Sequence, residues 1–280
     1  MKNEVLSPMS DIIFKLLFGT ESSIDILSDF LLAVLDLSPA EYDEITIANP
    51  FLLQEYKGDK LGILDVKLKL ATGKIVNIEV QVDIMPFMES RILFYVSKLI
   101  TEQVGESDQY DKIKNVISII ITGHSLIKDS EKYHHRFKLY DIESKVLLTD
   151  TIGIHTLEIP KARKVLSKAD NAHLLNWMKF FDAKTEEELN VLAQKSPAMK
   201  KASLRLLELS ADEKARQLYE ARLKERRDSY ARERGAVKSR ELEMAQSLIN
   251  IGMPLDQIST VTGLTYDEIN AECEISKNAD

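Results

Sequence analysis

The chain has 280 residues, 44% hydrophobic and 29% charged, a balance that excludes a largely disordered polymer and fits one large domain or a domain with a helical appendage. A net charge of −8 removes any global attraction to the phosphate backbone of nucleic acids, so contact with DNA has to be local, for instance through a metal held among carboxylates. The lone Cys273 excludes an intramolecular disulfide and makes a poor zinc site, and without a bilayer-length apolar run or a signal-like start the expectation is a cytoplasmic protein with no membrane association.

Residues 10–35 carry helical apolar spacing interrupted at Gly19, which predicts two helices. From residue 45 to 82 the pattern changes to short β-prone runs, ILDVKLKL and KIVNIEVQV, joined by Ala71, Thr72 and Gly73, and this reads as a hairpin. Pro86 ends the strand and opens a helix running towards Gly105, with Ile92, Tyr95 and Leu99 at helical spacing. NVISIIIT, residues 115–122, is the continuous apolar run of a strand covered on both faces. Two more strands, at 136–140 and 154–159, complete a mixed domain over residues 1–160.

Beyond residue 160 the strand signal stops, and residues 161–280 read as an all-α region with helices near 174–181, 185–194 and 197–209 and a long one from 212. Between residues 211 and 243 ten Lys or Arg face eight Asp or Glu, the pattern of a solvated, salt-bridged helix. The tail from residue 241 has helix-turn-helix rhythm. Its second helix, with Tyr266, Asp267, Glu268 and Asn270, has no cation for phosphate, so packing or homo-oligomer formation through these helices is the preferred reading.

In the second hairpin strand Asn77, Glu79 and Gln81 alternate with Val76, Ile78, Val80 and Val82; in the first, Asp65, Lys67 and Lys69 alternate with Val66, Leu68 and Leu70. A three-residue loop with Gly73 in the left-handed conformation pairs Leu70 with Lys74 and sets Asp65 opposite Glu79; other registers oppose polar to apolar residues. Two adjacent carboxylates repel unless a cation lies between them, and Mg²⁺, with one or two carboxylates and retained waters, suits phosphodiester hydrolysis. The alternative is a solvated sheet face where Lys67, Lys69 and Lys74 neutralise the acids by surface ion pairs.

Taken in order, SDIIFKLLFG, ILDVKLKLATGKIVNIEVQV and RILFYVSKLITEQVGESDQYDKIKNVISIIIT resemble the Rpn family of recombination-promoting nucleases and transposase-like proteins, within the PD-(D/E)xK nuclease superfamily, over about residues 6–160. The resemblance implies an α/β fold with a restriction-endonuclease-like mixed sheet flanked by helices. It further implies a Mg²⁺-dependent endodeoxyribonuclease, with Mn²⁺ also usable, DNA as partner and a link to recombination or a mobile element. Asp65 would be the first metal carboxylate, Glu79 the second, and Gln81 a water-positioning group. Asp11 corresponds to an acid on the first helix, with a role at the helix dipole or as the i,i+4 partner of Lys15 as the alternative.

Gln81 departs from the superfamily, where lysine is usual and steadies the charge developing on phosphorus; a neutral amide leaves a catalytically inactive DNA- or protein-binding module as the competing reading. Either Lys67, on the same face as Asp65, or Lys98 could bring a charge to the site instead. On the next helix Arg91 and Tyr95 share a face at i,i+4, with Arg91 suited to phosphate and Tyr95 to orienting it or to the core. The five histidines lack metal-ligand spacing, and no dinucleotide, Walker or nucleophile-elbow motif is present.

Overall fold

The computed structural model describes residues 4–35, 37, 44–48, 64–165 and 171–277. Helix α1 (Asp11–Phe18) buries Ile13, Phe14, Leu17 and Phe18 and leaves Asp11 and Lys15 on its other side. It stops at Gly19, where an added Cβ would lie 2.6 Å from the Lys15 carbonyl oxygen. Helix α2 (Ile24–Val34) follows, so the division expected at Gly19 is where the chain turns.

Six strands form one mixed sheet in the order β1-β2-β3-β4-β6-β5: β1 (Ile45–Ala48), β2 (Val66–Leu70), β3 (Ile75–Gln81), β4 (Val116–Thr122), β5 (His134–Tyr140) and β6 (Leu147–Glu158). β3, β4 and β6 run parallel, and β1 and β2 extend the sheet antiparallel on one side, as β5 does on the other. The β2–β3 hairpin has the expected register: the Leu70 amide donates to the Lys74 carbonyl at 2.9 Å, Gly73 takes φ +83°, and Val66 pairs with Ile78.

One sheet face, with Val66, Leu68, Val76, Ile78, Ile119, Ile121 and Leu157, packs on α1, α2, α5 (Ala172–Asp182) and α7 (Pro197–Ala211). Phe14, Phe18, Phe30, Trp177 and Phe181 form the aromatic centre of that layer, with neighbouring rings 4.7–6.3 Å apart. Helix α3 (Met88–Thr101), shorter at both ends than its sequence pattern, covers the other face: Tyr95, Val96 and Leu99 meet Leu64 and Val116, and Met88 and Ile92 meet Ile120. The polar face of β3 is therefore roofed rather than solvated, and Asn77 and Glu79 are buried along with Val76, Ile78 and Val80.

β5 and β6 both begin earlier than expected, and their exposed outer halves carry no burial pattern that marks them in the sequence. After β6 come α4 (Ile159–Ala162), α5, α6 (Glu186–Leu192) and α7; the end of the strands thus falls where the boundary at residue 160 was placed, but by packing the first compact unit runs to Tyr219. The second unit, residues 220–280, contains most of α8 (Glu213–Asn250), then α9 (Leu255–Thr262) and α10 (Tyr266–Lys277), around a small core of Ala245, Ile258, Leu264 and Ile269. Among the described residues no helix is long and apolar enough to cross a membrane.

Candidate active site

Asp65 lies just before β2 and Glu79 near the end of β3, and the hairpin register sets them level on the face under α3. Asp65 is anchored by the backbone of the opposing strand: the Val80 amide donates to its Oδ2 at 2.9 Å. Its other oxygen, Oδ1, faces Lys15 Nζ from α1 at 3.3 Å. The Asp65 side chain is 12% exposed and Glu79 4%, so neither carboxylate lies on a solvated sheet face. Lys67, the cation beside Asp65 in β2, is instead held in an ion pair with Glu102 just beyond α3.

Glu79 receives two amides from its own strand, because residues two apart share a face. Asn77 Nδ2 donates to Oε1 at 3.0 Å, and Gln81 Nε2 reaches Oε2 at 3.5 Å, the long limit of a hydrogen bond. Asn77 is itself fully buried and also approaches Ser118 Oγ of β4 at 3.4 Å. Both acids have raised proton affinity. For Asp65 the leading cause is burial, opposed by the Val80 amide and Lys15 and reinforced by the charge of Asp11. For Glu79 burial again leads, opposed by the Asn77 amide; the charge of Asp65 adds to it and Arg91 acts against it.

Arg91 and Tyr95 come together on the inner side of α3, with the guanidinium carbon 4.6 Å from the centre of the Tyr95 ring. The Arg91 Nε is buried and finds no hydrogen-bond acceptor among the described residues. Tyr95 has its phenol pushed further up, first by burial and then, against Arg91, by Glu79 and Asp65, so it stays protonated as a donor. Of the residues named from the sequence, Asp65, Glu79, Gln81, Arg91 and Tyr95 thus act on one another, and Asp11 is felt by Asp65 through its charge.

Two members of this constellation were not singled out in the sequence. Asn77 was visible as a polar residue on the face of Glu79, and Lys15 as the residue one helical turn after Asp11. What the pattern could not supply was that α1 and β2 meet.

The donor set fits a small hard cation: two buried carboxylates, level on neighbouring strands, each with more proton affinity than an ordinary acid. Among the described residues no group of three or more His, Cys, Asp or Glu side chains that could hold a metal ion is gathered.

A family model described as PD-(D/E)XK nuclease family transposase matches residues 8–236, from just before α1 to well into α8. The chain belongs to this family. Comparison with curated proteins and comparison with solved structures find no match. Membership gives the protein a nuclease-like or transposase-associated role, and the matched span takes in the whole sheet together with Asp65 and Glu79.

Proposed function

We propose that this protein is a divalent-metal-dependent DNA endonuclease, hydrolysing phosphodiester bonds in the service of recombination or a mobile element. The observation that carries the reading is the pair of buried carboxylates, Asp65 and Glu79, whose raised proton affinity is what a bound cation would relieve. These two would hold Mg²⁺, or Mn²⁺ in its place. When bound, the ion supplies neutralising charge for phosphoryl oxygens and a more acidic water.

The protein's own groups then have distinct tasks. The Val80 amide and the Asn77 amide fix the two carboxylates in orientation, and Gln81 extends that support from the strand end. Arg91, with an unsatisfied buried Nε, meets a non-bridging phosphate oxygen, and the Tyr95 ring holds the guanidinium in place. In the reaction the water oxygen forms a new bond to phosphorus, the bond from phosphorus to the sugar oxygen breaks with its electron pair, and the released proton ends on that oxygen. α3 keeps bulk water from the inner side of the site.

The test is nicking of plasmid DNA in Mg²⁺ by the wild type, Asp65→Asn and Glu79→Gln; equal activity in all three removes both residues from the chemistry. The second reading, a nuclease fold that binds DNA without cutting it, draws on the neutral amide of Gln81 near Glu79. Calorimetry that detects no Mn²⁺ binding, together with retained DNA binding, would favour it.

A further inference from the structure

We propose that Lys15 supplies the positive charge at the scissile phosphate, delivering from helix α1 what a lysine at position 81 would deliver from strand β3. This rests on the nuclease reading above and assigns the one role that Gln81 leaves open.

The geometry starts with α1. Four fully buried side chains, Ile13, Phe14, Leu17 and Phe18, fix the helix to the core, so the Lys15 stem leaves from a rigid base on the opposite side. Its ammonium lies 3.3 Å from Asp65 Oδ1, the oxygen that the Val80 amide does not use. The Lys15 side chain is 38% exposed against 12% for Asp65, so Lys15 is the member of the pair that solvent and a solute can reach more readily.

Two other cations near the site are differently engaged. Lys67 is paired with Glu102, and Arg91 lies over Tyr95. Among the described residues, Lys15 makes the lysine ion pair to either metal-binding carboxylate.

The Lys15 end of the pair is 38% exposed, so its ammonium can return to solvent when a divalent ion takes over the charge of Oδ1. Three donors on a flexible four-carbon stem then allow the ammonium to turn to a phosphoryl oxygen without moving α1. As the water oxygen bonds to phosphorus and the sugar oxygen leaves with its electron pair and takes the water's proton, Lys15 donates hydrogen bonds to the non-bridging oxygen and keeps its own proton. Stabilising charge that develops in this way carries a larger effect on turnover than on substrate affinity.

The experiment uses the full chain with Lys15→Met, which keeps the stem and removes the charge, and the double variant Lys15→Met/Gln81→Lys. Three readouts are collected: Mn²⁺ calorimetry, anisotropy of a short DNA duplex in Ca²⁺, and cleavage in Mg²⁺. Lys15→Met should bind Mn²⁺ as tightly as wild type or more tightly, because a competing cation is gone. It should keep KM within about threefold while kcat falls roughly 10²- to 10³-fold, the scale for losing one preorganised donor. The double variant should regain at least about tenfold in kcat.

Lys15→Met cleaving within about threefold of wild type overturns the proposal. A double variant as slow as the single one does the same, and so does a parallel loss of Mn²⁺ affinity, duplex binding and melting temperature, which would mark Lys15 as a structural counter-ion. If the wild type binds Mn²⁺ but cleaves only after Gln81→Lys alone, the metal site stands and the Lys15 assignment fails. A wild type that neither binds Mn²⁺ nor cleaves removes the nuclease reading and this assignment together.

Discussion

Replacing Asn77 by Leu separates a carboxylate held ready in its ionised form from one that is merely enclosed. Leucine keeps roughly the shape of asparagine and deletes the amide that sits 3.0 Å from Glu79 Oε1. The remaining donor, Gln81, is at 3.5 Å, so the loss falls on the better of the two bonds. A hydrogen bond to a charged group contributes about 1.5–3 kcal/mol, and the longer contact to Ser118 adds about 0.5 kcal/mol. Against this, the buried Asn77 Oδ1 has no partner among the described residues, and deleting it returns about 1 kcal/mol. The metal-free variant should therefore be about 1–2.5 kcal/mol less stable at neutral pH, read as a lower urea midpoint at unchanged slope. In a Glu79→Gln background most of the loss should vanish, leaving a coupling energy of about 1 kcal/mol or more. A midpoint unchanged to within about 0.5 kcal/mol, or an equal loss in both backgrounds, would refute the claim that Asn77 supports the charge of Glu79.

Stability of the metal-free protein should also depend on pH with a definite sign. Because Asp65 and Glu79 bind protons more strongly folded than unfolded, their contribution is complete below the ordinary carboxylate range and is lost as pH rises through their elevated values; melting curves across this window should fall for wild type and flatten in Asp65→Asn and Glu79→Gln. At neutral pH, Mg²⁺ at a hundredfold excess over its Kd should stabilise wild type by about 2.7 kcal/mol and leave Asp65→Asn unmoved, as checked by thermal melting. Gly73→Ala forces a side chain onto φ +83° with its Cβ 3.2 Å from Lys114 Cγ, and should cost about 1–2 kcal/mol in urea. Glu158→Gln removes the anion 2.7 Å from the buried Lys161 and should cost on the order of 3 kcal/mol, again by urea denaturation.

The part of the site legible in the sequence was the part that depends on local rules. Strict alternation in residues 65–70 and 75–82, with a three-residue turn and Gly73 at its left-handed position, leaves one register that buries the apolar set, and that register sets Asp65 beside Glu79. The spacing of Arg91 and Tyr95 by one helical turn likewise predicts a shared face, and their rings and guanidinium do meet. Lys15 against Asp65 is a contact across fifty residues between a helix and a strand, and neither element's periodicity encodes it. The extent of β6 was missed for a related reason: its first half, Leu147 onward, is paired but exposed, so backbone hydrogen bonds hold it without an apolar signature. The strands do end near residue 160, yet Trp177, Phe181 and Leu206 fill the same core as Phe14 and Phe30, because helices that follow a sheet can roof it as readily as helices that precede it.

Burial alone does not mark Glu79 as a site, since Glu158 is buried more completely. The difference lies in what answers the charge. Glu158 Oε2 faces Lys161 Nζ at 2.7 Å and accepts the amides of Leu126 and Ile127 at 3.0 and 3.4 Å, so a cation from its own chain and two backbone donors offset its desolvation and hold the segment after β4 in place. Glu79, one strand beyond β4 on the same face, accepts from two neutral amides, feels Arg91 only through its charge, and has a second carboxylate beside it. A fold that needed only to bury Glu79 would have no physical reason to bring Asp65 level with it, since each raises the cost of the other. Leucine or glutamine at either position would remove that cost without changing the strands. The arrangement is therefore unfavourable when both carboxylates are ionised and is relieved by a proton or by added positive charge, and the half-exposed Lys15 ion-pairs with just one of the four carboxylate oxygens.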